Sequence, residues 1–123
     1  MFLSIDTTSD LPRLTLYDTF KKQIDCMEWT SVKNDTEKLL PNIEELFKKN
    51  NRSCKNLAGI VVARTGKSYT GIRVGLTTAN FLAFGFNIGI FPDIVSAKHQ
   101  NFTGFLLPEY SFPPKITEKT RLV

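Results

Sequence analysis

The sequence has few of the residues that build disulfide frameworks or metal centres: two cysteines and one histidine in 123 residues. Cys26 and Cys54 form no C-x-x-C pair, and His99 has no second soft ligand beside it. Structural zinc needs four ligands at short spacings, so no metal ligand is assigned and reduced, packed thiols are expected. No apolar run approaches the roughly 20 residues that a bilayer crossing needs, so no membrane partner is expected. The apolar start at Phe2-Leu3 meets Asp6 within a turn and no basic stretch precedes it, which is not the pattern of a secretory leader. A soluble, cytoplasmic single domain is therefore expected. On that reading the three N-x-[ST] sequences, at Asn34, Asn51 and Asn101, carry no weight as glycosylation acceptors.

Charge of one sign is also scarce. Sixteen Lys and Arg face twelve Asp and Glu, a formal net charge of +4, which excludes a supercharged nucleic-acid arm. With 41% apolar and 23% charged residues the balance is that of a globular fold rather than a disordered tail. The basic residues are scattered at Lys21-Lys22, Lys48-Lys49, Arg52, Lys55, Lys115, Lys119 and Arg121. Aromatics and lysines do not alternate along any one element, so these charges are expected to solvate the surface rather than line a nucleic-acid groove.

What is present is a succession of short elements. Phe2, Leu3 and Ile5 form an apolar run stopped by Asp6-Thr7-Thr8-Ser9-Asp10, and Leu14 to Tyr17 alternates as a half-buried strand does. Lys22 to Thr30 is strand-like around Ile24, Cys26, Met27 and Trp29, but its alternation slips by one residue, which predicts a bulge. Asn34 or Asp35 then caps a helix in which Thr36, Leu39, Leu40, Ile43, Leu46 and Phe47 share a face. Pro41 should kink this helix or mark its first turn, and Lys48-Lys49-Asn50-Asn51 should end it. Leu57 to Ala63 reads as a strand covered on both faces. A polar turn from Arg64 to Thr70 leads to a second helix over Gly71–Phe84. Ile88 to Phe91 reads as a further strand, residues 93–100 as a short helix, and the proline-containing remainder as extended. Strands first, then helix–strand–helix–strand, predicts an α/β fold: a mixed sheet of about five strands with two main helices packed on it.

The second helix has an unusual composition. Gly71, Gly75, Ala79 and Ala83 recur every four residues, a smooth ridge that admits close approach of another backbone. Ile72, Val74, Leu76, Phe81, Leu82 and Phe84 make the remaining positions largely apolar, and a helix apolar all round is buried all round. One side must cover the sheet. The other is covered either by the first helix and the tail or by a partner protein.

Two turns invite chemical readings. Thr65-Gly66-Lys67-Ser68 imitates the end of a phosphate loop, but Val61 stands where the full pattern requires glycine. A helix start rich in backbone N–H groups could still hold an anion weakly, and the candidate set is Asp6, Thr7, Lys67, Ser68 and Arg73. Asp6 follows the first strand, where nucleotide- and metal-dependent enzymes keep a carboxylate, but such sites need several convergent carboxylates. Asp18 and Asp93 are the other candidates at strand ends. No catalytic residue is assigned; a degenerate nucleotide-binding or nuclease-like enzyme domain is the alternative to a binding module.

Taken together these pieces resemble the TsaB (YeaZ) family, whose members are partner proteins in making the threonylcarbamoyladenosine (t6A) modification of tRNA. Phe2-Leu3-Ser4-Ile5-Asp6-Thr7-Thr8 is similar to the family's first strand and turn, "ILAIDTS". Thr36-Glu37-Lys38-Leu39-Leu40-Pro41-Asn42-Ile43 is similar to its "H-[ST]-x-x-LLP-x-I" helix. Ser68-Tyr69-Thr70-Gly71-Ile72-Arg73-Val74-Gly75 stands beside "SFTG[VL]RIG", and the likeness continues through Leu82-Ala83-Phe84-Gly85 to about residue 97. Thr65-Gly66-Lys67 replaces the family's glycine-proline-glycine, and Asp35 replaces its histidine. Pro108-Glu109-Tyr110 resembles the terminal "P-x-Y-x-R", with Phe112 in place of the arginine.

The resemblance implies the RNase H-like, actin-type half of the family fold: an N-terminal lobe over residues 1–100 and an extended tail over 101–123, with the second lobe missing. It implies a non-catalytic role: docking of the two helices on the catalytic paralogue TsaD through Leu39, Ile43, Phe47, Gly71, Val74, Gly75, Thr78, Ala79 and Leu82. It further implies a homodimer when alone, a TsaE-like ATPase as a further partner and only indirect contact with tRNA. No cofactor of its own is expected, beyond ATP or ADP at a shared interface.

Overall fold

The computed structural model describes residues 1–30 and 35–109. Its centre is a 5-stranded sheet in the order β3-β2-β1-β4-β5, built from β1 (Phe2–Asp6), β2 (Arg13–Tyr17), β3 (Gln23–Glu28), β4 (Gly59–Val62) and β5 (Gly89–Phe91). β1, β2 and β3 form an antiparallel meander, and β4 and β5 add in parallel beside β1. The expected bulge is present: Leu16 faces Asp25 while Tyr17 faces Gln23, leaving Ile24 as the extra residue.

The parallel connections carry α1 (Leu39–Lys49) and α2 (Tyr69–Phe86). Right-handed crossovers that step in one direction place both helices on the same face of the sheet. Leu39, Ile43, Leu46 and Phe47 of α1 and Ile72, Leu76, Ala79 and Ala83 of α2 accordingly share one core with Leu3, Ile5, Leu14, Leu16, Ile60 and Val62. A smaller cluster of Phe2, Val61, Phe91 and Ala97 covers part of the opposite face.

A single 3-10 turn, Asp35–Lys38, precedes α1. It puts Pro41 in the first helical turn, where the missing N–H removes no intrahelical bond. Asn34 and the side chain of Asp35, the expected caps, lie outside the described residues. α2 begins two residues earlier than expected because Ser68 caps it, its Oγ accepting from Gly71 N at 3.0 Å. It ends at Asn87, which takes the left-handed conformation and ties its Oδ1 to Phe102 N at 3.2 Å.

The helix expected over residues 93–100 is instead a turn. The Asp93 carboxylate caps a single turn, accepting from Ser96 N at 2.8 Å; Ala97 N closes it on Ile94 O at 3.2 Å, and the turn goes no further because Ala97 is drawn into the smaller core at 2% exposure. Residues 101–109 are extended, as expected, but they are not a separate tail. They run back along α2 and bind it, as set out below.

Candidate functional site

The turn after β1 is built into the start of α2. Thr7 Oγ1 donates to the carbonyl of Gly71 at 2.6 Å. Thr8 donates to Asp6 Oδ1 through both its N–H, at 3.0 Å, and its hydroxyl, at 2.6 Å. The Thr8 carbonyl in turn accepts from the backbone N–H groups of Lys67 and Ser68, each at 3.1 Å. The glycines make this possible. A Cβ on Gly71 would lie 1.8 Å from the Thr7 carbonyl oxygen, and one on Gly75 2.4 Å from Thr7 Oγ1. The ridge of small residues admits close approach of a backbone, as its spacing predicts, but the backbone is the chain's own.

This geometry corrects the candidate anion site. Two backbone donors of the turn, Lys67 N and Ser68 N, are committed to Thr8, the Ser68 hydroxyl oxygen accepts from the helix, and Asp6 and Thr7 are tied internally. An open surface cavity of about 320 Å³ lies beside Ser9, Asp10, Leu11, Lys67 and Ser68, and Arg73 is not in it. Arg73 lines a different cavity, of about 380 Å³, with Thr70, Val74, Thr77 and Thr78. The five residues therefore do not converge.

The carboxylates of the alternative enzyme reading do not converge either. Asp6 closes the end of β1 that faces Arg13, whereas Asp18 follows Tyr17, which faces Phe2 at the opposite end. Asp93 is within electrostatic reach of Lys21 on the hairpin that Asp18 begins. Among the described residues no group of three His, Cys, Asp or Glu is placed to hold a metal ion.

The helix faces divide the expected docking residues. Leu39, Ile43 and Phe47 are buried against the sheet, as are Gly75 and Ala79, so a partner would not meet them. The amphipathic pattern of α1 marks its core side. Gly71, Val74, Thr78 and Leu82 are half-buried. On the solvent side α1 presents Leu40, Pro41, Glu44, Glu45 and Lys48, and α2 presents Thr70, Arg73, Thr77, Phe81 and Phe84. Phe81 is 67% exposed and Phe84 63%, so the all-round apolar character of α2 is real and incompletely covered.

The cover that exists comes from residues 101–109. Asn80 clamps them like a strand partner, its Nδ2 donating to Leu106 O at 2.9 Å and its Oδ1 accepting from Leu106 N at 2.8 Å. Phe102 stacks edge-on against Phe84, with centroids 5.5 Å apart, and Phe105 meets Phe102 at 5.1 Å. At the far end Glu109 pairs with Arg64 at 3.1 Å and donates its N–H to the Arg64 carbonyl, also at 3.1 Å. Sheet and strap thus cover two sides of α2, and the strip from Thr70 to Phe81 stays open.

The family model described as "TsaD: tRNA N6-adenosine threonylcarbamoyltransferase" matches residues 30–92, which include both helices, β4 and β5. The chain belongs to the TsaD family. Within it the likeness is to TsaB: the "tRNA threonylcarbamoyladenosine biosynthesis protein TsaB" of Bacillus subtilis (strain 168) is 31% identical over 80 residues, 62% of this chain and 35% of that protein. The solved structure "YeaZ from Pseudomonas aeruginosa" superposes with a TM-score of 0.66 at 18% identity, covering 72% of this chain and 41% of that one. A second structure, described as an uncharacterized protein with similarity to peptidase YeaZ from Pseudomonas aeruginosa, gives 0.67 at 18% identity, with 73% and 41% covered. The chain therefore spans between a third and a half of the length of these relatives. The mixed five-strand sheet with two helices is the fold of these YeaZ structures, and it is consistent with the RNase H-like class that the sequence resemblance implies.

Seen with the TsaD family, the Ser68–Gly75 stretch holds residues of two kinds. Ser68, Gly71 and Gly75 build the junction with Thr7, while Thr70 and Arg73 face outward and Val74 is half-buried between the two sides. Sequence reasoning found the stretch but missed Thr70, Thr77 and Phe81 as surface residues. Their i, i+7, i+11 spacing on the side of α2 away from Gly75 and Ala79 was the available signal.

Proposed function

We propose that this chain is a non-catalytic subunit of the t6A-forming machinery that docks on a TsaD-like protein through the solvent faces of α1 and α2. One observation carries the reading: in a chain of the TsaD family, α2 keeps a strip from Thr70 to Phe81 open to solvent, with Arg73 its one charged residue. Burying such a strip against another helix is favourable at about 25 cal/mol per Å² of apolar surface. The committed donors around Thr8 and the separated carboxylates support a binding role rather than a catalytic one. ATP or ADP would then sit at an interface shared with the catalytic partner. A TsaE-like ATPase and self-association when the partner is lacking complete the proposed set of contacts, in the cytoplasm where tRNA is modified. No described helix is long and apolar enough to cross a membrane.

The test is co-purification of the chain with a cognate TsaD-like protein, followed by size-exclusion chromatography with mass detection. Thr77→Arg and Phe81→Asp lie on the open strip and should abolish the complex while the far-ultraviolet spectrum is unchanged. A complex that survives both substitutions overturns the reading, as does a wild-type chain that forms no complex.

A further inference from the structure

Four basic residues that lie scattered in sequence, Lys22, Lys48, Arg52 and Lys55, come to one end of the described fold. Phe2 pairs with both Tyr17 and Gly59, and Gly59 pairs with Gly89. The starts of β1, β4 and β5 therefore share this end with the β2–β3 hairpin. The segment leaving α1 joins them, because the Met1 ammonium group donates to Asn56 O at 3.4 Å and Ala58 N donates to Met1 O at 2.7 Å. Burial first, then the charge of Arg52, holds the Met1 amino group below its ordinary pKa, while Asp18 acts in the opposite sense; both side chains stand near it. Lys22, Lys48, Arg52 and Lys55 are exposed here and make no ion pair among the described residues, whereas Lys49 is paired with Asp25 at 3.3 Å.

The hairpin adds an aromatic ring. Phe20 is 84% exposed on a turn fixed from several sides: Asp18 Oδ1 accepts from Phe20 N at 2.8 Å and Lys22 N at 2.9 Å, and Asp18 N donates to Lys22 O at 2.9 Å. Lys21 takes a positive φ of 66° and donates its Nζ to Val95 O at 2.8 Å. The ring is held out in water at this end, where Lys22, Arg52 and Lys55 stand with Asp18, and Lys48 with Glu44 and Glu45 on α1. Cations for phosphates together with a rigid aromatic for a base are the two elements of single-strand recognition.

We propose that Phe20, Lys22, Lys48, Arg52 and Lys55 form an RNA-binding surface that grips the phosphate backbone and stacks one unpaired base. It replaces the indirect tRNA contact expected from the sequence. The choice of RNA over other polyanions rests on the t6A reading above; a lone exposed ring, with the apolar face of α1 turned to the core, disfavours an acidic membrane.

The test uses the full chain, fluorescence anisotropy and two probes: an unmodified tRNA transcript and a uridine-only oligonucleotide. Both should bind saturably, with affinity falling as salt rises from about 50 to 200 mM. Lys22→Ala/Arg52→Ala/Lys55→Ala should weaken binding at least about tenfold and flatten the log–log salt slope by about one per lost contact. Phe20→Ala should cost about tenfold on the oligonucleotide with the slope unchanged. Absence of saturable binding, variants that bind like wild type, or stronger retention on phosphatidylserine vesicles than on RNA would each overturn the proposal. The same variants are to be run in the TsaD co-purification. Docking without RNA binding removes this inference alone, and RNA binding without docking removes only the reading of the helices.

Discussion

Thr7 and Gly71 are joined so closely that neither can be changed alone: the threonine hydroxyl donates to the glycine carbonyl at 2.6 Å, and a Cβ on the glycine would lie 1.8 Å from the threonine's own carbonyl oxygen. This contact locks the start of α2 to the end of β1, 64 residues away in sequence.

Gly71→Ala should therefore destabilise the fold by about 3 kcal/mol, since the obstacle is backbone and cannot swing aside. Gly85 lies in the same helix with nothing within 4 Å of the point where a Cβ would stand, and Gly85→Ala should stabilise by about 0.5–1 kcal/mol. Urea melts of the two variants should shift in opposite directions; a shared direction would contradict the packing described.

Asn80→Ala removes both halves of the clamp on Leu106 and should cost about 1–2 kcal/mol, at about 1 kcal/mol for each hydrogen bond. The loss should be local. Amide exchange at Leu106 should accelerate strongly while that of Ile60 and Val62 in the sheet barely changes, because the strap can lift without opening the core.

Asp25 ties β3 to the end of α1. Its carboxylate accepts from Asn50 Nδ2 at 2.9 Å and from Cys26 N at 2.7 Å, and these bonds hold its pKa below the ordinary carboxylate value. A folded pKa below the unfolded one means stability that is present at neutral pH and lost as pH falls through the carboxylate range. Thermal melts from about pH 7 to pH 3, a span that brackets the ordinary aspartate pKa near 3.9, should show a steeper acid decline for wild type than for Asp25→Asn.

The Cys54 thiol is pushed up in pKa by burial, with the Glu44 charge acting in the same sense. Less thiolate at neutral pH means slower alkylation. Iodoacetamide should modify Cys54 more slowly than it modifies an unstructured cysteine peptide at the same pH, and unfolding in urea should abolish the difference.

Most of the fold was legible in the chain because its patterns are local. The slipped alternation near Ile24 gave the bulge, and the four-residue recurrence of Gly71, Gly75, Ala79 and Ala83 gave the close-packed side of α2. Which backbone fills that side was not legible, because Thr7 and Gly71 meet only through the crossover. The same limit explains why Leu39, Ile43 and Phe47 read equally well as core or as docking residues: amphipathicity states that a face is covered, not by what. Lys22 and Arg52 look scattered for a related reason, since only the register of Phe2 with Tyr17 and Gly59 brings them to one end. The turn at Asp93 reads as a helix because its start is capped like one, Asp93 accepting from Ser96 N, while the packing of Ala97 that ends it is a tertiary contact.

The bulge at Ile24 also bears on how the molecule behaves in a crowded solution. A free outer strand is a template on which another polypeptide can extend a sheet, but β3 is kinked at Ile24 and carries Asp25 and Glu28, features that discourage such templated growth. On the other side of the sheet, Gly89 N is already bonded to Gln100 O. Both margins are thereby guarded against edge-to-edge aggregation.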